Sequence, residues 1–447
     1  MKNFKFLVLF AVLAFLSSCQ NESNDESYLD ATLTEVINAA SSGQGLNAFI
    51  LPASDDYQAI PQDPKNPLSR EKVELGRLLY HEPLLAIHPK YEEGLHTYSC
   101  ASCHHAAAGF QAGVAQGIAD GGVGFGLQGE ARARNPLYRV DSLDIQPIRS
   151  PTILNSAYSE VTLWNGQFGA TGKNVGTEHS WNEGTPKFTN YLGFQGVETQ
   201  AIAGLTVHRM GLDMAYFFDS DYKGLYDIVF GDQDPSERYS IENTGLAIAA
   251  YERSVLANQA PFQAWLRGDL DAMTDEQKRG AILFFGKANC SGCHSGPALG
   301  GDSFHALGMK DLDSNPSMFG TVDEATKKGR GGFTGNSSDY YKFKTPTLYS
   351  MIYSPHYGHG SSFNSIYDVI QYKNKAVPEN NNVPYSSLSS QFVPLGLTDE
   401  EVQELTAFLE QALNDSKLER FLPAGNLPSN YCFPNNDALS RLDLGCF

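Results

Sequence analysis

The stretches "CASCHH" at 100–105 and "CSGCH" at 290–294 both spell Cys-x-x-Cys-His. Thiols and imidazole in that order suit three chemistries: structural zinc, thiol exchange and haem attachment. Structural zinc needs four ligands close together, commonly as paired motifs on a short spacer. Here the copies stand about 190 residues apart, each with one motif histidine immediately after its second thiol. A thiol-exchange motif wants a strand before it and a helix after it, and has no use for the trailing histidine. Covalent haem uses every position: the thiols add across the porphyrin vinyl groups and the adjacent histidine binds the iron. The spacing predicts two c-type haems, on Cys100, Cys103 and His104 and on Cys290, Cys293 and His294.

The remaining cysteines have other uses. "MKNFKFLVLFAVLAFLSSC" has a positive start (Lys2, Lys5) and an apolar run from Phe6 to Leu16 that is short for a membrane span. Leu16-Ser17-Ser18-Cys19 then resembles a lipobox. Export is expected, with lipid on Cys19 as the only membrane attachment and a periplasmic or cell-surface location. Cys432 and Cys446 lie in a tail rich in turn residues and are expected to pair in an oxidising compartment. The net charge of −19, more negative by two once Lys2 and Lys5 are removed, argues against nucleic acid, which needs a basic face. It suits solubility, or attraction of a basic redox partner.

Helices must position the motifs. "REKVELGRLLY" at 70–80 and "NTGLAIAAYERSVL" at 243–256 read as helices, the second from an Asn-Thr cap. Thr274 with Gln277, and Thr398 with Glu401, have capping-box spacing. The first box leads directly into the second motif, and the second precedes a stripe of Val402, Leu405, Leu409 and Leu413. Period-2 alternation is scarce. The expected fold is mainly α, with two cytochrome c-like domains, each wrapping one covalent haem, and long loops.

The sequence resembles the bacterial di-haem cytochrome c peroxidases and their relative MauG. The residues that carry the resemblance are "NPLSREKVELGRLLYHEPLL", "CASCHHAAAGF", "RSPTILNSAY" and "LWNG", then "GAILFFGKANCSGCHSGPALGG", "FKTPTLYSMIYSPHYGHG" and "SIYDVIQYKN". They cover roughly 60–420, in family order. The resemblance implies that hydrogen peroxide is reduced to water at the N-terminal haem. The electrons would enter through the C-terminal haem from a small cytochrome or cupredoxin. Trp164 matches the tryptophan between the haems, and its indole would shorten the electron path. The organisation expected is a signal peptide (1–18), a tether (19–58), a peroxidatic domain (59–257), a linker (258–273), an electron-transfer domain (274–415) and a tail (416–447). A homodimer is compatible with it. The alternatives are MauG-like oxidation of an organic or protein substrate, and a di-haem electron carrier without enzyme activity.

This chain departs from the family at several positions. Many members carry a distal histidine after the first motif that blocks the iron; here none occurs between His105 and His179. An open first haem is expected unless His179 fills in, with His105 at the surface or beside His104. Gln200 and Met210 match the family, but Arg209 stands at its glutamate position, with His208 beside it. His208 would take the peroxide proton and Arg209 would stabilise the departing oxygen, with Glu198 as the fallback acid. Neighbours on a regular helix diverge by about 100°, so both reaching the iron requires an irregular turn. The stretch 168–197 is longer than usual and reads as a surface insertion. The second haem's other ligand aligns with Tyr372 or Lys373; Tyr372 is the choice, with Met309 and Met351 as substitutes. His359 matches a family histidine near that haem. Some members bind calcium between the domains through an Asn, whose place Arg149 takes, so calcium is a weaker expectation.

Overall fold

The computed structural model describes residues 28–218 and 220–446, so the expected leader and Cys19 lie outside the described residues. Helix Arg70–Tyr80 falls on the predicted stretch, capped by Ser69, which accepts from the Lys72 amide. The next predicted helix starts earlier than its Asn-Thr pair suggests. It spans Ile241–Ser254 and is capped by Ser240, which accepts from the Asn243 amide. Every residue from Asn243 to Ser254 is buried. Thr274 and Gln277 cap helix Asp275–Phe285 reciprocally, and Thr398 and Glu401 do the same for Asp399–Ala407. A π-helical turn, Phe408–Ala412, follows and keeps Leu409 and Leu413 in the core with Val402 and Leu405.

Two helix crossings rest on glycine. A Cβ at Gly76 would lie 1.9 Å from the Ala247 carbonyl oxygen, and one at Gly280 would lie 2.0 Å from that of Glu404. Hydrogen alone fits there, so the helix before each Cys-x-x-Cys-His motif can meet a later helix backbone to side. Among the described residues, strands are confined to two short antiparallel pairs. Gly122–Val123 pairs with Ala133–Arg134, and Phe304–His305 with Phe343–Lys344. The architecture is mainly α and cytochrome c-like.

The expected linker 258–273 is packed, not loose. It carries helix Pro261–Leu266, whose Phe262 and Trp265 are buried. Gln263 donates to the Phe49 carbonyl at 2.8 Å and lies 2.6 Å from Tyr349 Oη. One continuous core runs through it from Leu33 to Phe421. The tail returns to the first motif: the Ser99 hydroxyl donates to the Pro434 carbonyl at 2.8 Å, and the Asn436 amide to that of Thr97 at 3.0 Å. Within this tail Cys432 and Cys446 form a disulfide. The 168–197 stretch folds into short turns and is tied to the second half by Arg330, which donates to the carbonyls of Gly166 and Lys173.

Glu198, the fallback acid, is corrected here. It is fully buried and bound at both carboxylate oxygens by Arg253, at 2.7 and 2.6 Å, so it is spent on the core. Removing the guanidinium would leave a buried carboxylate without a counter-charge. Arg253→Leu is expected to lower unfolding stability by about 3–5 kcal/mol, measured by urea denaturation of the haem-loaded protein.

Candidate functional site: a shared cavity with two Cys-x-x-Cys-His loops

Both motifs open onto one cavity of about 830 Å³, lined by Cys100, Cys103, His104, Cys290, Cys293, His294 and Trp164. Each motif begins as a single 3-10 turn, Cys100–Ser102 and Cys290–Gly292. All four thiols are free, and burial pushes those of Cys100, Cys103 and Cys290 up to about 12.

The two histidines are held alike. His104 Nδ1 donates to the Pro151 carbonyl at 2.9 Å, and His294 Nδ1 to those of Leu299 and Pro346, both at 3.1 Å. Carbonyls only accept, so the proton is on Nδ1 and the Nε2 lone pair is left for a metal. Burial lowers both imidazoles to about 4, which keeps them neutral. The two prolines begin matching segments, "PTIL" and "PTLY", a repeat that the sequence displays and that sequence reasoning left unused. Thiol pairs, neutral histidines and an enclosing cavity fit one haem at each motif. Among the described residues no group of three or more His, Cys, Asp or Glu could hold a bare metal ion.

On the first side, one face of helix Gly196–Val207 forms the wall. Gln200, Gly204, Val207 and the capping residue His208 all line the cavity. His208 Nδ1 donates to Asp144 Oδ2 at 3.0 Å, and Asp144 lines the same cavity. Burial pushes the His208 pKa down, but the Asp144 charge and hydrogen bond together push it further up, so it stands above the ordinary value. Sequence reasoning missed Asp144. The expected irregular turn is present, with Arg209 at φ 55°, but it carries Arg209 away from the cavity. The guanidinium pairs with Asp120 and donates to the Ser142 carbonyl at 2.8 Å, which corrects its assignment as an oxygen-stabilising group.

His179 is also corrected. It is on the outer side of the insertion, 3.1 Å from the Thr334 carbonyl, and does not line the cavity. His105 is buried against Phe125 rather than at the surface. Glu252, a lone carboxyl in the otherwise apolar "GLAIAAYE", lines the cavity and is pushed up to about 8 by burial, with the Glu198 charge adding to the rise.

Trp164 Nε1 donates to the Arg149 carbonyl at 2.9 Å, and its ring meets His359 edge-on at 6.3 Å between centres. His359 is stacked on Phe343 and donates to Asp311 at 3.2 Å. The buried Arg149 guanidinium donates to Gln111 Oε1 at 2.7 Å and Ser354 Oγ at 2.8 Å. The positive charge there belongs to the protein, and these neighbours do not fit a calcium ion. On the second side Tyr372 is corrected as an iron ligand. Its hydroxyl donates to the Leu307 carbonyl at 2.5 Å, its ring packs on Phe363 and Phe392, and it does not line the cavity. Lys373, Met309 and His305 do line it. Met351 lines it as well.

A helical fold closed over paired Cys-x-x-Cys-His loops defines a di-haem redox protein. The family described as di-haem cytochrome c peroxidase matches residues 70–271. The methylamine utilization protein MauG of Methylorubrum extorquens is 27% identical over 361 residues, covering 79% of this chain and 81% of that protein. The cytochrome-c peroxidase IdrP1 of Denitromonas iodatirespirans is 28% identical over 404 residues, covering 86% and 91%. Among solved structures, a MauG-like protein associated with microbial copper homeostasis superposes with a TM-score of 0.56 at 25% identity, covering 84% of this chain and 98% of the other. These matches support the di-haem cytochrome c peroxidase/MauG family for this chain, and with it an oxidoreductase of the peroxidase type.

The two loops predict separable haem sites. Replacing Cys290 and Cys293 together by alanine is expected to reduce covalent haem from two per chain to one, counted by the pyridine haemochrome assay on denatured protein. The Cys100/Cys103 double variant is expected to give the same count with the other loop occupied.

Proposed function

We propose that the protein reduces hydrogen peroxide to water on the His104 side of the cavity, with electrons received on the His294 side from a small cytochrome or cupredoxin. Bound haems would supply the electron uptake and the peroxide reduction. The observation that carries the proposal is the His208–Asp144 pair, which faces the same cavity as His104.

The protein's own groups then have defined tasks. Cys100 and Cys103, and Cys290 and Cys293, would hold the two haems, with His104 and His294 on the irons. His208, neutral when peroxide enters, takes a proton at Nε2, while Asp144 stabilises the imidazolium. His208 then returns that proton to the departing oxygen. Each peroxide consumes two electrons and two further protons and yields two waters. Gln200 contributes an amide to the wall beside His208. Trp164 lines the cavity shared by both loops, where its indole shortens the electron path. The expected export and acylation of Cys19 belong to the same proposal, which would place the enzyme on the outer side of a bacterial membrane. Among the described residues no helix is long and apolar enough to cross one.

MauG-like oxidation of an organic or protein substrate is the second reading. The first side supports it, because among the described residues the histidines on that wall are His104 and His208. A tyrosine on the second iron would also favour it, but Tyr372 faces the Leu307 carbonyl instead.

The test is peroxide-dependent oxidation of a reduced small cytochrome by the purified protein. His208→Ala is expected to lower kcat about 10²–10⁴-fold. Undiminished turnover would remove His208 from the mechanism. Asp144→Asn takes away the group that raises the His208 pKa. The limb of the pH profile on which activity rises with pH is therefore expected to move to lower pH.

A further inference from the structure

Helix Ile366–Lys375 forms the wall of the cavity on the second side as helix Gly196–Val207 does on the first. Ile366, Val369, Ile370 and Lys373 all line it, at the i, i+3, i+4, i+7 spacing of a single helical face. Tyr372, about 100° around the same helix, faces the Leu307 carbonyl instead. Lys373 is half-buried at the end of this apolar stripe, where an ammonium without a partner needs an explanation.

The other lysines on this cavity all have partners. Lys287 is bound to Glu401, Lys327 to Asp313, and Lys344 to Asp302 and Ser159. Lys373 Nζ has no hydrogen bond or ion pair among the described residues. Its one contact of note is the face of Phe392, 5.8 Å from the ring centre. Lys373 lines the same cavity as Cys290, Cys293 and His294. We infer that Lys373 Nζ is the second protein ligand of the iron held at Cys290, Cys293 and His294. The inference rests on the haem binding proposed above. Coordination would use the amine lone pair and remove the cost of an unpaired ammonium.

Met351, His305 and Met309 are other donors on this cavity. His305 has Nδ1 3.2 Å from Ser389 Oγ and a buried Nε2 without a partner. Met309 Sδ is packed on Gly358, 3.2 Å from where a Cβ would be. Of these donors Lys373 is the one on the helix face of Ile366, Val369 and Ile370 that walls the cavity.

The experiment uses the oxidised, haem-loaded protein, read by electron paramagnetic resonance and near-infrared spectroscopy. Lys373→Ala and Lys373→Arg are both expected to lose the low-spin signal of one haem and gain a high-spin one. Lys373→Met is expected to restore a low-spin haem with a sulfur-to-iron charge-transfer band and a raised reduction potential. The controls Met309→Leu and His305→Ala are expected to keep the wild-type signal. An unchanged spectrum in both Lys373→Ala and Lys373→Arg, or loss of the signal in either control, would overturn the assignment. Haem counts separate the two levels: a wild-type protein with fewer than two haems per chain contradicts the proposed function, whereas two haems with an unchanged Lys373→Ala spectrum contradict only the ligand.

Discussion

A neutral imidazole offers a metal its lone pair only when its other nitrogen has given its proton to a fixed acceptor. In this protein those acceptors are the carbonyls of Pro151 and Pro346, each 47 or 52 residues beyond the histidine it holds. Proline has no amide hydrogen to commit to a ladder, and its ring fixes φ, which leaves each segment one soft dihedral fewer. The two Pro-Thr segments must therefore be brought back against the two Cys-x-x-Cys-His loops. The glycine-dependent crossings serve that end. Gly76 and Gly280 let the helix before each motif settle on a later helix of the core, which fixes where the loop emerges.

The same constraint explains why the halves behave as one structure. Helix Pro261–Leu266 joins them through buried aromatics, and the cavity is lined from both sides. Trp164 and Arg149 stand at this junction, the indole donating to the arginine's carbonyl while the guanidinium reaches Ser354 in the second half. Electron flow between two haems needs a short, rigid separation, and an interface built of buried polar pairs resists opening.

Much of this was legible in the sequence where the signal is local. A hydroxyl three residues before a Gln or Glu marks a helix start whatever surrounds it, as at Thr274 and Thr398. The haem motifs are equally self-contained. Tertiary partners were not legible. His208 and Arg209 are neighbours, yet Asp144 holds one at the cavity and Asp120 draws the other away, and neither carboxylate is near them in the chain. Glu198 looked available because nothing local marks Arg253 as its partner. The choice of Tyr372 over Lys373 was a matter of helical phase. The stripe through Ile366, Val369 and Ile370 was there to be read, and it points to Lys373. The packing of 258–273 follows from Phe262 and Trp265, both buried in the core.

The account stands on a first site that is open to peroxide, with His208 serving as a base. The direct measurement is stopped-flow mixing of the fully oxidised, haem-loaded protein with hydrogen peroxide, without prior reduction. The account predicts an immediate spectral change whose rate rises in proportion to peroxide concentration and falls in His208→Ala. No reaction until one electron has been added, together with a faster reaction in His208→Ala, would contradict it by placing His208 on the iron as a blocking ligand.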